Sequence, residues 1–198
     1  MKLNKNKKEL RSELKSAILN SKNTYQSDEA VINSIIFKFI ESQKVKSVGV
    51  YISTKLEVSL TGFIKNLWQK KYIVSAPKVT GNNLEYFRIN KFSDLTPGKF
   101  NIDEPKKNCP AVDTKDIDIL ILPGRAFDKS GTRLGSGRGF FDRFMTNFPG
   151  ISVGVCTSRQ FVDNLPREPH DRQVLYVVTE KGIWDTVKKK YIKSGSGL

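Results

Sequence analysis

Two cysteines and one histidine are all that this 198-residue chain holds of the side chains most often used to bind zinc. Cys109 and Cys156 stand far apart, each alone and without C-x-x-C spacing. Neither a disulfide framework nor a zinc site is expected; they read as reduced structural thiols, suited to a reducing compartment. Long apolar runs are missing too. Hydrophobic residues make up 38% of the chain, and no stretch approaches the roughly 18 residues that a membrane crossing takes. The basic start, Met1-Lys2-Leu3-Asn4-Lys5-Asn6, leads into no apolar signal core, and Glu9 and Glu13 speak against an organelle transit peptide. A soluble, cytoplasmic protein without a membrane partner is expected. There is no internal repeat and no linker between domains, and the length suits one α/β domain with a complete core.

Acidic residues are also scarce: 20 against 34 lysines and arginines, a net charge of +14. Such a balance favours anionic partners, whether nucleic acid, membrane surface or small molecules. The lysines are scattered, apart from Lys188-Lys189-Lys190, and no helix-turn-helix, zinc finger or ribonucleoprotein aromatic motif is present. Small anions are therefore favoured over nucleic acid, with solubility as the plain alternative.

What the chain does have is a glycine-rich unit. Arg133-Leu134-Gly135-Ser136-Gly137-Arg138-Gly139 follows the apolar run Ile117-Asp118-Ile119-Leu120-Ile121-Leu122-Pro123 and leads into Phe140, Phe141, Phe144, Met145 and Phe148 at helical spacing. Strand, glycine loop and helix start would aim backbone N–H groups and a positive helix end at one spot, where phosphate binds well. Arg133 and Arg138 would add charge-assisted contacts. The loop matches neither G-x-x-x-x-G-K-[ST] nor the dinucleotide turn, so a glycine-rich surface loop stands beside the phosphate reading.

The rest of the chain alternates helices and strands. Residues 5–20 carry a Leu10, Leu14, Ile18 stripe and read as a helix. After a polar break at 23–26, Ser27 is expected to cap a second helix with Val31, Ile35, Ile36, Phe39 and Ile40 inward. Strands are predicted at 45–53, 72–76, 84–89, 117–123, 151–156 and 174–179, a third helix at 57–70, and a surface loop over 91–115. The fold class is α/β: a single domain over residues 1–193 with a mixed, largely parallel sheet and helices on both faces. Residues 194–198, Ser-Gly-Ser-Gly-Leu, read as a flexible tail. In such sheets ligands settle beyond the carboxyl ends of the strands, where Glu57, the glycine loop, Asp142 and Asp171 would converge.

Several short pieces, in order, carry a resemblance. They are Lys7-x-x-x-Arg11, Val50-Tyr51 followed by Glu57, Ala76-Pro77-Lys78-Val79, Ile102-Asp103-Glu104-Pro105, and Leu122-Pro123-Gly124-Arg125-Ala126-Phe127-Asp128. Then come the glycine unit with Asp142-Arg143, Gln160, Leu165-Pro166-x-Glu168-x-His170-Asp171, and Val177-Val178-Thr179-Glu180. Over residues 5–183 the set resembles the 5-formyltetrahydrofolate cyclo-ligases, also called methenyltetrahydrofolate synthetases. The resemblance implies an enzyme that uses ATP to close 5-formyltetrahydrofolate into 5,10-methenyltetrahydrofolate. It implies ATP contacts from Lys7, Lys8, Arg11, Arg133, Leu134, Gly135, Ser136, Gly137, Arg138, Gly139, Phe140 and Phe141, with Arg138 catalytic. Ile52, Glu57 and Phe140 would bind the reduced folate, with or without a polyglutamate tail, and Asp142 and Asp171 would hold magnesium; a monomer is expected. Phosphoryl transfer needs positioning and charge neutralisation rather than a nucleophilic serine or cysteine, so one histidine suffices.

Departures from the family pattern matter as well. Arg138 stands where the family usually has lysine, Phe140-Phe141 replaces a tyrosine pair, and Leu175 sits where an acidic residue is common. Plainer roles remain open for each residue. Lys7 and Arg11 read equally as a solvated basic helix face, Phe141 as core, and Asp142 and Glu57 as acids favoured at helix starts. His170 reads as a structural neighbour of Asp171. Two other functions stand beside the ligase: a nucleotide-binding relative without the cyclisation, and a basic nucleic-acid-binding protein.

Overall fold

The computed structural model describes residues 6–20 and 22–192, with no side-chain description for residues 20 and 22–26. The predicted tail at 194–198 lies outside the described residues. The chain order begins α1 (Lys7–Asn20), α2 (Lys22–Ser42), β1 (Ser47–Gly49), α3 (Thr61–Gln69), β2 (Ile73–Thr80) and β3 (Asn83–Arg88). It continues with β4 (Leu95–Pro97), β5 (Asp103–Pro105), β6 (Ala111–Val112), β7 (Ile119–Pro123), β8 (Ala126–Asp128), β9 (Arg133–Leu134) and α4 (Phe140–Met145). It closes with β10 (Ile151–Val155), β11 (Phe161–Val162), β12 (Tyr176–Thr179), β13 (Gly182–Asp185) and β14 (Lys190–Ile192).

The main sheet has nine strands in the order β14-β13-β12-β10-β7-β1-β2-β3-β6. Its centre, from β12 to β2, is parallel, and antiparallel strands flank it on both sides. Parallel strands are covered on both faces and so read as unbroken apolar runs; β7, Ile-Leu-Ile-Leu-Pro, is buried throughout. Successive side chains on a strand point to opposite faces. Accordingly Ile119 and Ile121 join one core with Ile32, Ile36, Phe39, Phe63 and Leu67 of α2 and α3. Leu120 and Leu122 join the other, against Phe127 and the Phe141, Phe144 and Phe148 rings around α4. The stripe of α1 packs separately: Leu10 and Leu14 meet Ala126, Leu134 and Leu165 beside a small sheet ordered β11-β8-β9. The α/β, mixed-sheet architecture with helices on both faces is thus the one read from the sequence.

Boundaries differ from the predictions in physically clear ways. The polar stretch at 23–26 is helical, so Ser27 lies inside α2 instead of at its start. The stripe facing the sheet is Ile32, Ile36, Phe39, Ile40; Val31, expected inward, is 46% exposed. The first strand is only three residues long, and α3 starts at Thr61, with Val58 and Leu60 buried ahead of it. The expected surface loop at 91–115 instead contains the β4–β5 hairpin and the edge strand β6. Beyond residue 179, β13 and β14 extend the sheet through a turn over 186–189, where Lys189 takes φ +52°.

Candidate active site

One cleft lies over the carboxyl ends of β7, β1 and β2. Pro123 closes β7; Tyr51, Ile52, Thr54 and Glu57 follow β1; Pro77 and Val79 lie in the second half of β2; all face the cleft. The start of α1, the glycine loop, the tip of the β4–β5 hairpin and the segment around Asp171 complete its walls. Convergence at one sheet edge, expected from topology, is what the fold delivers.

The loop after β1 is pinned at two points. The Tyr51 hydroxyl donates to the Val58 carbonyl at 2.7 Å, and Glu57 Oε2 accepts the Thr54 N–H at 2.9 Å. Glu57 and Ile52 therefore both border the cleft, with Oε1 of Glu57 making no bond within the described protein.

Across the cleft, Arg133 and Asp142 form an ion pair at 2.8 Å, with side chains 6% and 15% exposed. Arg133 also donates to the Pro123 carbonyl at 3.4 Å and lies 5.4 Å from the Phe141 ring centre. Its guanidinium braces the loop against β7 and α4 while still bordering the cleft. Leu134 is core, under α1, with its carbonyl accepting the Arg125 N–H at 2.7 Å. Lys8 points to solvent and does not border the cleft, unlike Lys7 and Arg11. Arg11 Nε donates to the Gly135 carbonyl at 2.9 Å, fastening α1 to the loop. Gly135, Ser136, Gly137 and Gly139 line the cleft, and Gly137 and Gly139 take φ +98° and +66°, values that favour glycine. The helix that follows, α4, has only six residues. Its dipole is small, so anion affinity here rests on the cations.

Arg138 is that loop's exposed cation. Its guanidinium lies 3.7 Å from the ring centre of Phe100, at the hairpin tip, and Phe100 lies 6.1 Å from Phe140. Phe100 itself is 46% exposed at φ +61°. Thus two arms of the cleft touch through an aromatic ring that the sequence reading placed in a surface loop. Phe140 and Phe141 both line the cleft, and Phe141 also packs against both cores.

Lys7 Nζ sits 2.7 and 2.6 Å from the two oxygens of Asp171 and 2.8 Å from Glu168. Burial disfavours the Asp171 charge, yet the Lys7 ammonium and the Glu168 N–H outweigh it, so its pKa lies below the ordinary value. The Glu168 carboxyl is also lowered, chiefly by its hydrogen bond from Lys7. His170 is largely exposed, 3.3 Å from Glu168, and together with Glu168 and Asp171 forms a compact group of possible metal ligands. Asp142 and Asp171 both border the cleft, but each is held by its own cation. Leu175 lies outside the cleft lining and bonds through its backbone N–H to Ser152. Both cysteines are free thiols, and burial pushes the Cys156 thiol far up, which leaves it inert. No helix is long and apolar enough to cross a membrane among the described residues.

A model of the 5-formyltetrahydrofolate cyclo-ligase family matches residues 3–180. A 5-formyltetrahydrofolate cyclo-ligase from Haemophilus influenzae is 33% identical over 174 residues, covering 83% of this chain and 92% of that protein. The Saccharomyces cerevisiae protein of the same name is 29% identical over 179 residues, 76% and 83% of the two chains. Among solved structures, the Aquifex aeolicus 5,10-methenyltetrahydrofolate synthetase superposes with a TM-score of 0.83 at 32% identity, covering 94% of this chain and 96% of that one. A synthetase from Mycoplasma pneumoniae shares the fold at 19% identity, with a TM-score of 0.73 over 89% and 99% of the chains.

Proposed function

This chain belongs to the 5-formyltetrahydrofolate cyclo-ligase family, and from that membership we propose how its cleft carries out the reaction. The enzyme closes 5-formyltetrahydrofolate to 5,10-methenyltetrahydrofolate, with ATP converted to ADP and phosphate. A formyl amide is a poor electrophile and its oxygen a poor leaving group. Transfer of the γ-phosphoryl group to that oxygen removes both obstacles. The neighbouring folate amine then attacks the formyl carbon, loses its proton, and phosphate departs with the C–O electron pair.

The single observation that carries this reading is that one cleft brings together cations and a carboxylate from different elements. Arg138, Arg11 and Lys7 stand on the glycine-loop and α1 side, and Glu57 stands beyond β1. A pterin presents an amino group and a ring N–H side by side, which the Glu57 carboxylate can accept as a pair. Ile52 and Phe140 supply apolar surface near it. Arg138 meets the migrating phosphoryl group, where a positioned charge lowers the barrier. The loop amides around Gly135, Ser136 and Gly137 approach the phosphates without an intervening Cβ. Arg133, which borders the cleft, holds the loop through its pair with Asp142 and adds positive charge beside the phosphates, with Leu134 anchoring the loop beneath α1.

The donor set suits magnesium: Asp142 keeps Oδ1 clear of Arg133, and Asp171 already holds a cation, the Lys7 ammonium. Hard carboxylate oxygens of this kind, one or two per ion, hold magnesium beside phosphates. When bound, the ion would neutralise phosphate charge. Lys7, at the start of α1 and on the border of the same cleft, would contact the ATP phosphates. Residues 1–193 form the catalytic unit, working as a monomer in the cytoplasm, with the positive charge serving anionic substrates instead of nucleic acid or membrane. The test mixes protein, magnesium-ATP and 5-formyltetrahydrofolate and follows the near-ultraviolet absorbance of the methenyl product. Growth of that band that needs ATP is expected; ATP binding without it would leave only a nucleotide-binding relative.

A further inference from the structure

Six carboxylates border the cleft, and five have an evident situation. Asp171 and Glu168 share Lys7, Asp142 is paired with Arg133, Glu57 bonds to Thr54, and Asp103 is exposed to water. Glu104 is different. It is only 8% exposed, it forms no ion pair within the described residues, and its one hydrogen bond there is Oε1 to the Val79 N–H at 3.3 Å. The other oxygen lies over Gly98, where a Cβ would come within 2.7 Å of Oε2 and 2.5 Å of Cγ. The hairpin therefore carries a glycine at the place where the carboxylate needs room.

An ionised carboxylate has about four acceptor positions, and burying it with one long bond is costly. A ligand that brings a donor to the other oxygen offsets that cost. Both substrates carry donors, ATP on its adenine amino group and ribose hydroxyls and the reduced folate on its ring N–H groups; what favours the folate is that Glu104 lies on the Glu57 side of the cleft. Glu104 clasps β2 at Val79, and Glu57 follows β1, the adjacent parallel strand. Neighbouring strands lie only about 5 Å apart, so one extended ligand can reach both carboxylates.

We propose that Glu104 is a folate-binding residue that accepts a hydrogen bond from an N–H of the reduced folate beyond the pair assigned to Glu57. The proposal rests on the cyclo-ligase reading, and its test separates the two. Glu104→Gln keeps the clasp, because the amide oxygen still accepts from Val79. The amide NH2 then faces the substrate, and two donors meet. Glu104→Gln is expected to raise the folate KM about tenfold, with the ATP KM and the melting temperature unchanged. Glu104→Asp, which withdraws the charge by one methylene, is expected to fall between Glu104→Gln and wild type. Glu104→Ala is expected to raise the folate KM as well and to lower the melting temperature through loss of the clasp. If wild type forms methenyl product while Glu104→Gln and Glu104→Asp keep its folate KM, or raise both KM values alike, Glu104 is only a clasp and the proposal fails. A wild type that forms no product overturns the cyclo-ligase reading itself.

Discussion

Asp171 is held between opposing influences, and the direction of its pKa gives a stability signature. Its folded value lies below the ordinary 3.8 because the Lys7 and Glu168 donors outweigh burial. A depressed acid contributes stability that is fully present above the unfolded value and is lost as pH falls through the folded one. The melting temperature of wild type is therefore expected to exceed that of Asp171→Asn near neutral pH, and the gap to close below about pH 4. Scans of both proteins across that range check the sign; a gap that widens in acid would contradict the Lys7 pairing. Arg138 makes a separate case. Losing one oriented charge at a transition state costs roughly 10²–10³-fold in kcat. Arg138→Ala is expected to lose that much, and Arg138→Lys to recover most of it, though lysine is a point charge and stacks less well on Phe100. Steady-state kinetics with circular dichroism decide it: normal turnover in Arg138→Ala makes the loop a structural turn. At this scale the sequence told which residues to watch, through motif order. It did not tell that Arg133 would be consumed by Asp142, or Lys7 by Asp171, because partners 9 and 164 positions away depend on the tertiary fold.

At the scale of elements, the legible parts were those with strong periodicity. The Leu10, Leu14, Ile18 stripe gave α1, and the all-apolar run gave β7, since a buried parallel strand needs no alternation. The hairpin over 95–105 was not legible. Its strands are three residues each, carry prolines, and pair only with each other. Yet that hairpin supplies Phe100 and Glu104, two cleft residues with no local signal beyond a motif match. The glycine loop was readable as a loop, but not the reason for each glycine. A Cβ on Gly137 would meet nothing closer than 3.4 Å, from Arg11, so its substitution is not blocked by packing. Its φ of +98° is the constraint, and leaving glycine there costs about 1–2 kcal/mol. Gly137→Val is therefore expected to fold with a modestly lower melting temperature while its ATP KM rises, since the new side chain intrudes where phosphate oxygens approach. A valine variant with wild-type ATP affinity would move the phosphates off this loop.

For the molecule as a whole, the α/β class followed from alternation of helical and strand patterns, whereas the antiparallel margins did not, because β6, β13 and β14 are short edge strands. The charge of +14 was visible from the start, but its use depends on where the cations lie. Lys7, Arg11, Lys99, Arg125 and Arg138 all border one cleft, while many remaining lysines are spread over the surface. Both substrates are anions; because six carboxylates share the cleft with these cations, it is the protein's net positive charge, together with exposed Arg138 at the site, that draws them in over distances comparable to the Debye length. That length falls from about 10 Å at 0.1 M salt to about 3 Å at 1 M. Exposed long-range attraction should fade over this range, whereas contacts inside the closed complex should be screened much less. The expected outcome is that kcat/KM for both ATP and 5-formyltetrahydrofolate falls as salt rises, with kcat nearly constant. Arg138 lies in the cleft, so Arg138→Ala should show a shallower dependence on salt; Lys115→Ala, on the exposed face before β7, should keep the wild-type slope. Measuring both slopes at fixed free magnesium separates steering from metal effects. Equal slopes for all three proteins would mean that the positive charge acts through net charge alone and that the cleft does not focus it.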